Sequence, residues 1–239
     1  MAAKADKITL IGGWASPFVM RVDIALNLKG ISYENLKGIS YEMLQETVGK
    51  KSDLLLASNP IYKKIPVLIH NGTPICESMI ILEYIDETWS SVGTPILPSD
   101  SHDRAIARFW TAYIDDKLRG SIVKSRAMMK GTPEAGAEAG KMAAILQLLE
   151  ETFGKCSLGK NFFGGDNIGC LDIAVGSHLG WIKAVEKIVG IKFLDEEKVP
   201  GLVAWSERFC GHDAVKEIMP EADKLVEFTA VLMRAAAAN

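Results

Sequence analysis

Two short stretches carry polar groups to the starts of helices. In Trp14-Ala15-Ser16-Pro17-Phe18, Ser16 falls at the N-cap and Pro17 at the first position of a helix reaching to about Lys29-Gly30. Between Pro60 and Ser78, Ile65-Pro66 opens a β-branched apolar run and Asn71-Gly72 marks a hairpin turn. Glu77-Ser78 then stands where Met79-Ile80-Ile81-Leu82-Glu83-Tyr84-Ile85 begins a helical pattern. Strand and helix start meet at one edge, an arrangement suited to holding a small peptide. Taken singly, each feature has a plainer reading: Ser-Pro as a cap, Glu-Ser as a helix start, and the Lys50-Lys51 and Lys63-Lys64 pairs as solvated faces.

The elements that would position these groups can be read around them. Ile8-Thr9-Leu10-Ile11 is a short strand, the helix after Ser16 is amphipathic, and strand-helix-strand signals fill residues 7–86. Residues 88–98, rich in Ser, Gly and Pro, break both periodicities and read as a linker. From Ala105 onward the pattern is helical, with further periodicity over Lys141 to Glu151 and Asp172 to Ile188. Gly131 to Gly140 reads as a low-complexity connection between two helices, and Ala235 to Asn239 as a frayed tail. Leu28-Lys29-Gly30-Ile31-Ser32-Tyr33-Glu34-Asn35 is followed at once by Leu36-Lys37-Gly38-Ile39-Ser40-Tyr41-Glu42-Met43, a tandem duplication of eight residues. Either copy has the side-chain pattern of a strand, which leaves register weakly specified. The second copy is expected to be the strand and the first a surface loop, since loop insertions cost little closure entropy.

At 239 residues, with 48% hydrophobic and 24% charged, the chain can bury the core of one large domain or two small ones. A net charge of −3 argues against nucleic-acid or anionic-membrane partners, which require a concentrated basic surface. The sequence has no apolar run of the roughly 18 residues that mark a membrane span, and Met1 to Lys7 lacks the apolar stretch of a signal peptide. A cytoplasmic location is expected. Cys76, Cys156, Cys170 and Cys210 have neither metal nor redox spacing and read as reduced thiols. Cys76 lies beside the candidate site, where either reactivity or packing would explain it. His70, His102, His178 and His212 include no i, i+4 pair, so no metal is expected.

The order of Trp-x-Ser-Pro-Phe, Lys63-Lys64-Ile65-Pro66-Val67-Leu68 and Cys76-Glu77-Ser78-Met79-Ile80-Ile81 resembles the plant tau class of glutathione transferases. The similarity continues through Ala107-Arg108-Phe109-Trp110 and Phe162-Phe163-Gly164-Gly165-Asp166, and so covers nearly the whole chain. The resemblance implies a thioredoxin-like α/β domain with a mixed sheet at residues 1–87, a linker at 88–98, and an all-helical bundle domain at 99–239. It implies glutathione as co-substrate, a homodimer, and attack of the glutathione thiolate on hydrophobic electrophiles in detoxification or stress response, with peroxidase activity as a side reaction.

By the same resemblance, Ser16 would donate a hydrogen bond to the thiolate rather than act as a nucleophile. Glu77 would pair with the ammonium of glutathione and Ser78 would take the γ-glutamyl carboxylate. Lys51 and Lys64 would face the glycyl carboxylate, and the backbone of Ile65, before a cis peptide to Pro66, would bond the cysteinyl unit as an added strand does. Trp14, Phe18, Tyr113, Lys117, Trp181, Phe228 and Leu232 are the candidates for the electrophile's apolar wall. In Gly169-Cys170-Leu171-Asp172, Gly169 is a weak cap and Asp172 the expected buried acceptor. Two rivals remain. A thiol oxidoreductase would place Cys at position 16, and a non-catalytic carrier of hydrophobic metabolites would keep the wall without turnover.

Overall fold

The computed structural model describes residues 6–31, 40–126 and 132–237. They fall into two compact units that divide between Ile96 and Leu97. In the first unit, β1 (Ile8–Gly12), β2 (Tyr41–Gln45), β3 (Val67–His70) and β4 (Thr73–Cys76) form one sheet in the order β2-β1-β3-β4. β1 runs parallel to β2 and antiparallel to β3, and β3 runs antiparallel to β4. The Asn71-Gly72 turn between β3 and β4 has positive φ at both residues, 51° and 84°, the geometry expected of Asn-Gly in a two-residue hairpin. Pro74 is tolerated because β4 is an edge strand.

Helix α1 (Pro17–Leu28) packs against α3 (Ser78–Thr88), with the short α2 (Asp53–Ser58) between β2 and β3. The amphipathic reading of α1 is corrected here, because Val19 through Leu26 are all buried. That run includes two charged residues, Arg21 and Asp23. The Tyr41 hydroxyl donates to Asp23 Oδ1 at 2.8 Å, joining α1 to β2. Burial pushes the Asp23 carboxyl up to about 7, with the Tyr41 hydrogen bond opposing.

The strand is built from the second copy of the duplicated octapeptide, as expected. The first copy is not simply a surface loop. Its leading half ends α1: Lys29 is the C-cap, Gly30 turns the chain at φ 68°, and Lys29 and Ile31 are buried. Lys29 Nζ lies 2.8 Å from Asp86 Oδ1 on α3, and the same carboxylate accepts the Ile96 N–H at 2.9 Å. The rest of the first copy, with the start of the second, falls at residues 32–39 and lies outside the described residues. Residues beyond the shared pattern select the register. Met43 packs at Gly12, where the first copy has Asn35; Gln45 accepts the Trp14 N–H at 3.2 Å, and Glu46 accepts the Ser52 N–H at 3.0 Å. A one-copy shift would set Lys37 and Gly38 at those last two positions.

The second unit is helical: α4 (Ser101–Tyr113), one π-helical turn (Ile114–Leu118), α5 (Arg119–Ser125), α6 (Pro133–Ser157), α7 (Cys170–Gly176), α8 (Leu179–Val189), α9 (Pro200–Gly211) and α10 (Ala222–Ala237). Three sequence expectations change. Residues 133–140 belong to α6, started by Thr132 at the N-cap and Pro133 at the first position, with Ala135 and Ala139 buried. The periodicity from Asp172 to Ile188 is two helices, α7 and α8. Gly176 packs so closely on Phe209 that a Cβ would sit 2.2 Å from its ring, and the His178 ring turns back to the Ala174 carbonyl at 3.0 Å. Of the expected frayed tail, Ala235 through Ala237 continue α10, and Ala238 and Asn239 lie outside the described residues.

Asp172 is the buried acceptor anticipated. It takes N–H bonds from Phe163, Gly164, Gly169 and the Trp205 indole at 2.7–2.9 Å, tying α7, α9 and the preceding loop together. Burial pushes it up to about 6, and those four donors pull it back.

Deleting Gly30 through Lys37 leaves one octapeptide, with Lys29 in place and Gly38-Ile39 following it. The shortened chain is expected to fold with comparable or better glutathione affinity; calorimetric titration and circular dichroism check this, and loss of the fold would make both copies structural.

Asp23 makes stability depend on pH. Its folded value of about 7 lies above the unfolded value near 4, so its contribution is full below pH 4 and is lost as pH rises through 7. Urea unfolding at pH 5 and pH 8 should show the wild type losing stability relative to Asp23→Asn, whose amide still accepts from Tyr41 and does not titrate. Parallel pH profiles for the two would refute this.

Candidate functional site

Strand register gathers the candidate groups. Leu44, Ile11, Val67 and Cys76 stand in one row across β2, β1, β3 and β4. Beyond that row, β1 leads out through Gly12-Gly13 to Ser16, β3 is entered from Ile65-Pro66, and β4 leads out to Glu77-Ser78. All three segments leave the same edge of the sheet, as read from the sequence.

Ser16 is the N-cap of α1, with its backbone extended at φ −84° and ψ 116°. Its Oγ accepts the Val19 N–H at 3.4 Å, a long cap bond. A hydroxyl that accepts in this way still has its own proton to donate. Cap and anion donor are therefore compatible roles for one oxygen.

Glu77 precedes α3 at φ 72° and ψ 118°, a backbone region that costs a residue with a Cβ about 1–3 kcal/mol. Its side chain is exposed and caps nothing, and it makes no ion pair among the described residues. Ser78 at the first helical position is buried, and its Oγ accepts from Arg21 Nη1 at 3.3 Å. Arg21 is 0% exposed, and its guanidinium lies 5.0 Å from the Phe18 ring centroid.

The Ile65-Pro66 peptide is cis, as the resemblance implies. The Ile65 backbone makes no hydrogen bond among the described residues, which leaves it open to an added strand. Asn59 shapes the approach: its Nδ2 donates to the Lys64 carbonyl at 3.0 Å and its Oδ1 accepts the Tyr62 N–H at 3.1 Å. Lys51 and Lys64 are exposed and make no ion pair among the described residues. Burial, then the Glu77 charge, push the Cys76 thiol up, away from thiolate character.

The candidates for an apolar wall divide. In the first unit, Trp14 is exposed and Phe18 partly so, both flanking Ser16. In the second, Tyr113, Phe228 and Leu232 are partly exposed, and Lys117, in the π-helical turn, is exposed beside Asp116 at 2.8 Å. Trp181 departs from expectation. It is 3% exposed, lies on the buried face of α8 and is covered by the Arg126 guanidinium at 5.1 Å, so it belongs to the core.

Among the described residues, Asp100, His102 and Asp103 cluster on the surface, with the Asp100 carboxylate already occupied in capping α4. No helix among them is long and apolar enough to cross a membrane.

Sequence reasoning passed over Arg21 and Asn59. A charge inside the apolar run Val19-Met20-Arg21-Val22 was the available signal for the first, and Asn before Pro60 for the second.

The chain matches the family model described as the glutathione S-transferase N-terminal domain over residues 6–87 and the corresponding C-terminal domain model over 102–213. It is 55% identical to glutathione S-transferase U18 of Arabidopsis thaliana, covering 93% of this chain and 94% of that one. Identity to the probable glutathione S-transferase GSTU6 of Oryza sativa is 44%, covering 97% of each. Among solved structures, a tau-class glutathione S-transferase from mango, Mangifera indica, superimposes with a TM-score of 0.87 at 52% identity, over 95% of this chain and 98% of that one. A rice enzyme, OsGSTU1, solved in complex with glutathione, gives 0.85 at 34% identity, covering 97% and 98%. Matched by both domain models and alike to plant relatives over nearly their whole length, the chain belongs to the glutathione S-transferase family and, within it, to the plant tau class.

Proposed function

We propose that this protein is a glutathione transferase that directs the glutathione thiolate at hydrophobic electrophiles, in detoxification or stress metabolism. The observation that carries the reading is the single sheet edge from which Ser16, Ile65 and Glu77-Ser78 all emerge. In it, residues 1–87 bind glutathione, residues 99–239 contribute to electrophile selection, and 88–98 link them.

The peptide's ends are held by charge. Glu77 takes the ammonium, the Ser78 N–H and hydroxyl take the γ-glutamyl carboxylate, and Lys51 and Lys64 face the glycyl carboxylate. The open Ile65 backbone pairs with the cysteinyl unit. These contacts deliver the sulfur to Ser16. A free thiol with a pKa of about 8.5 is only a few per cent ionised at pH 7. Lowering that by two units takes about 2.7 kcal/mol of preference for the anion. A hydrogen bond to a charged partner supplies about 1.5–3 kcal/mol, and the helix N-terminus adds about 0.3–1. Ser16 and the first turn of α1 are sufficient together.

Trp14 and Phe18, and in the second unit Tyr113, Lys117, Phe228 and Leu232, are assigned to the electrophile. The same thiolate would reduce organic hydroperoxides as a side reaction. We place the protein in the cytoplasm and give it no metal.

The Ser16→Ala variant tests the mechanism. It is expected to cost about 0.5–1 kcal/mol of stability, the low end for a cap whose bond is already long. It should lower kcat/KM for glutathione conjugation by about ten- to a hundredfold. The pKa of bound glutathione, read from thiolate absorbance, should return toward about 8.5, while glutathione affinity falls much less. A variant that keeps its turnover and pH profile would remove Ser16 from the mechanism and put the metabolite-carrier reading ahead.

The active form in this reading is a homodimer. Ile61 in the first unit and Phe109 in the second, 82% and 60% exposed, are side chains that a subunit interface would cover. Sedimentation at micromolar concentration should give twice the 26.0 kDa chain mass, and a species of the single chain mass alone would refute it.

A further inference from the structure

Arg21 joins the two helix starts of the candidate site from beneath. It sits on α1 one turn beyond Phe18 and is fully buried, within a stretch of the helix, Val19 to Leu26, that is buried throughout. Its Nη1 donates to Ser78 Oγ on α3, and its guanidinium faces the Phe18 ring. An apolar side chain of similar volume would fill this place without the cost of removing a cation from water. A guanidinium here therefore needs a reason other than packing, and the contacts with Ser78 and Phe18 point to one.

A serine hydroxyl has one proton to give and lone pairs to receive. With Arg21 donating from within the protein, the Ser78 oxygen is engaged as an acceptor on its buried side, and its proton is left for whatever lies beyond the first turn of α3. Ser78 thereby acts as a donor, and its hydroxyl can act together with the helix N-terminal N–H groups on one anion. Without Arg21 the hydroxyl is free to rotate and to donate inward or back to the helix.

We propose that Arg21 is a positioning residue for the γ-glutamyl carboxylate of glutathione: it orients the Ser78 hydroxyl outward as a donor and, through Phe18, holds the first turn of α1 in register with α3. The inference rests on the proposed assignment of that carboxylate to Ser78.

The test compares two ligands on three proteins by isothermal titration. The ligands are glutathione and 4-aminobutanoyl-cysteinyl-glycine, which keeps the ammonium, thiol and glycyl carboxylate but lacks the carboxylate in question. Wild type should bind glutathione at least about tenfold more tightly than the analogue, the scale of one hydrogen bond to a charged group. Arg21→Met should lose most of that preference while binding the analogue within about twofold of wild type, and Arg21→Lys, which keeps a buried donor, should recover part of it. A purely structural role would weaken both ligands alike in Arg21→Met, and that result overturns the proposal. So does a variant that discriminates as fully as wild type. If Arg21→Met is not recovered folded, Arg21→Leu, which also lacks a donor, takes its place with the same criteria. A wild-type protein that does not distinguish the ligands would instead overturn the assignment of the carboxylate to Ser78, on which the inference rests.

Discussion

The first unit depends on one alignment: Ile11, Val67 and Cys76 lie side by side across β1, β3 and β4. Because side chains alternate along a strand, a slip of one residue in either antiparallel pairing would turn the apolar run Val67-Leu68-Ile69 over. It would also move Ile65 or Glu77 about 3.3 Å along the sheet edge. The Asn-Gly turn sets the second pairing, since its two positive φ angles suit a two-residue loop. Burial sets the first, with Leu10, Ile11, Val67 and Leu68 all fully excluded from solvent. Ser16, Ile65 and Glu77-Ser78, the groups we propose to meet glutathione nearest the sheet, are thus spaced by strand geometry, each within four residues of a strand end.

Charge inside the core is the second theme. Arg21, Asp23 and Lys29 lie on or at the end of one largely apolar helix; Arg21 and Lys29 join α1 to α3 through Ser78 and Asp86, and Asp23 joins it to β2 through Tyr41. Such pairs contribute little to net stability compared with apolar replacements, but they have directional requirements that apolar contacts lack. In the second unit Asp172 has the corresponding place, a single carboxylate collecting four N–H donors from the loop before α7 and from α9.

The local signals in the sequence were legible where chemistry at one position decides the backbone: Ser16-Pro17 as a helix start, Asn71-Gly72 as a turn, Asp172 as a buried acceptor, and the second octapeptide copy as the strand. Family motifs supplied the cis peptide before Pro66 and the polar residues of the candidate site. The misreadings arose where a distant contact decides. The break between α7 and α8 falls just after Gly176, which packs against Phe209, thirty-three positions away. Trp181 has the composition of a ligand wall and becomes core because Arg126 covers it. Residues 131–140 read as a low-complexity connection between two helices, but Thr132, Pro133 and the buried alanines make residues 133–140 the first turns of α6. Arg21 was visible as a charge in an apolar run, but its partner Ser78 lies 57 residues away.

The duplicated octapeptide has a consequence at the level of heredity. Its copies agree in their first seven residues and each is preceded by Asn, so loss of eight consecutive residues beginning anywhere from Asn27 to Asn35 leaves the same Leu-Lys-Gly-Ile-Ser-Tyr-Glu-Met. Nine different excisions converge on one descendant chain. That chain retains a lysine for Asp86, a glycine for the left-handed turn and a tyrosine for Asp23. An in-frame loss of eight residues in this region is therefore degenerate at the protein level, with each of these excisions yielding one and the same chain.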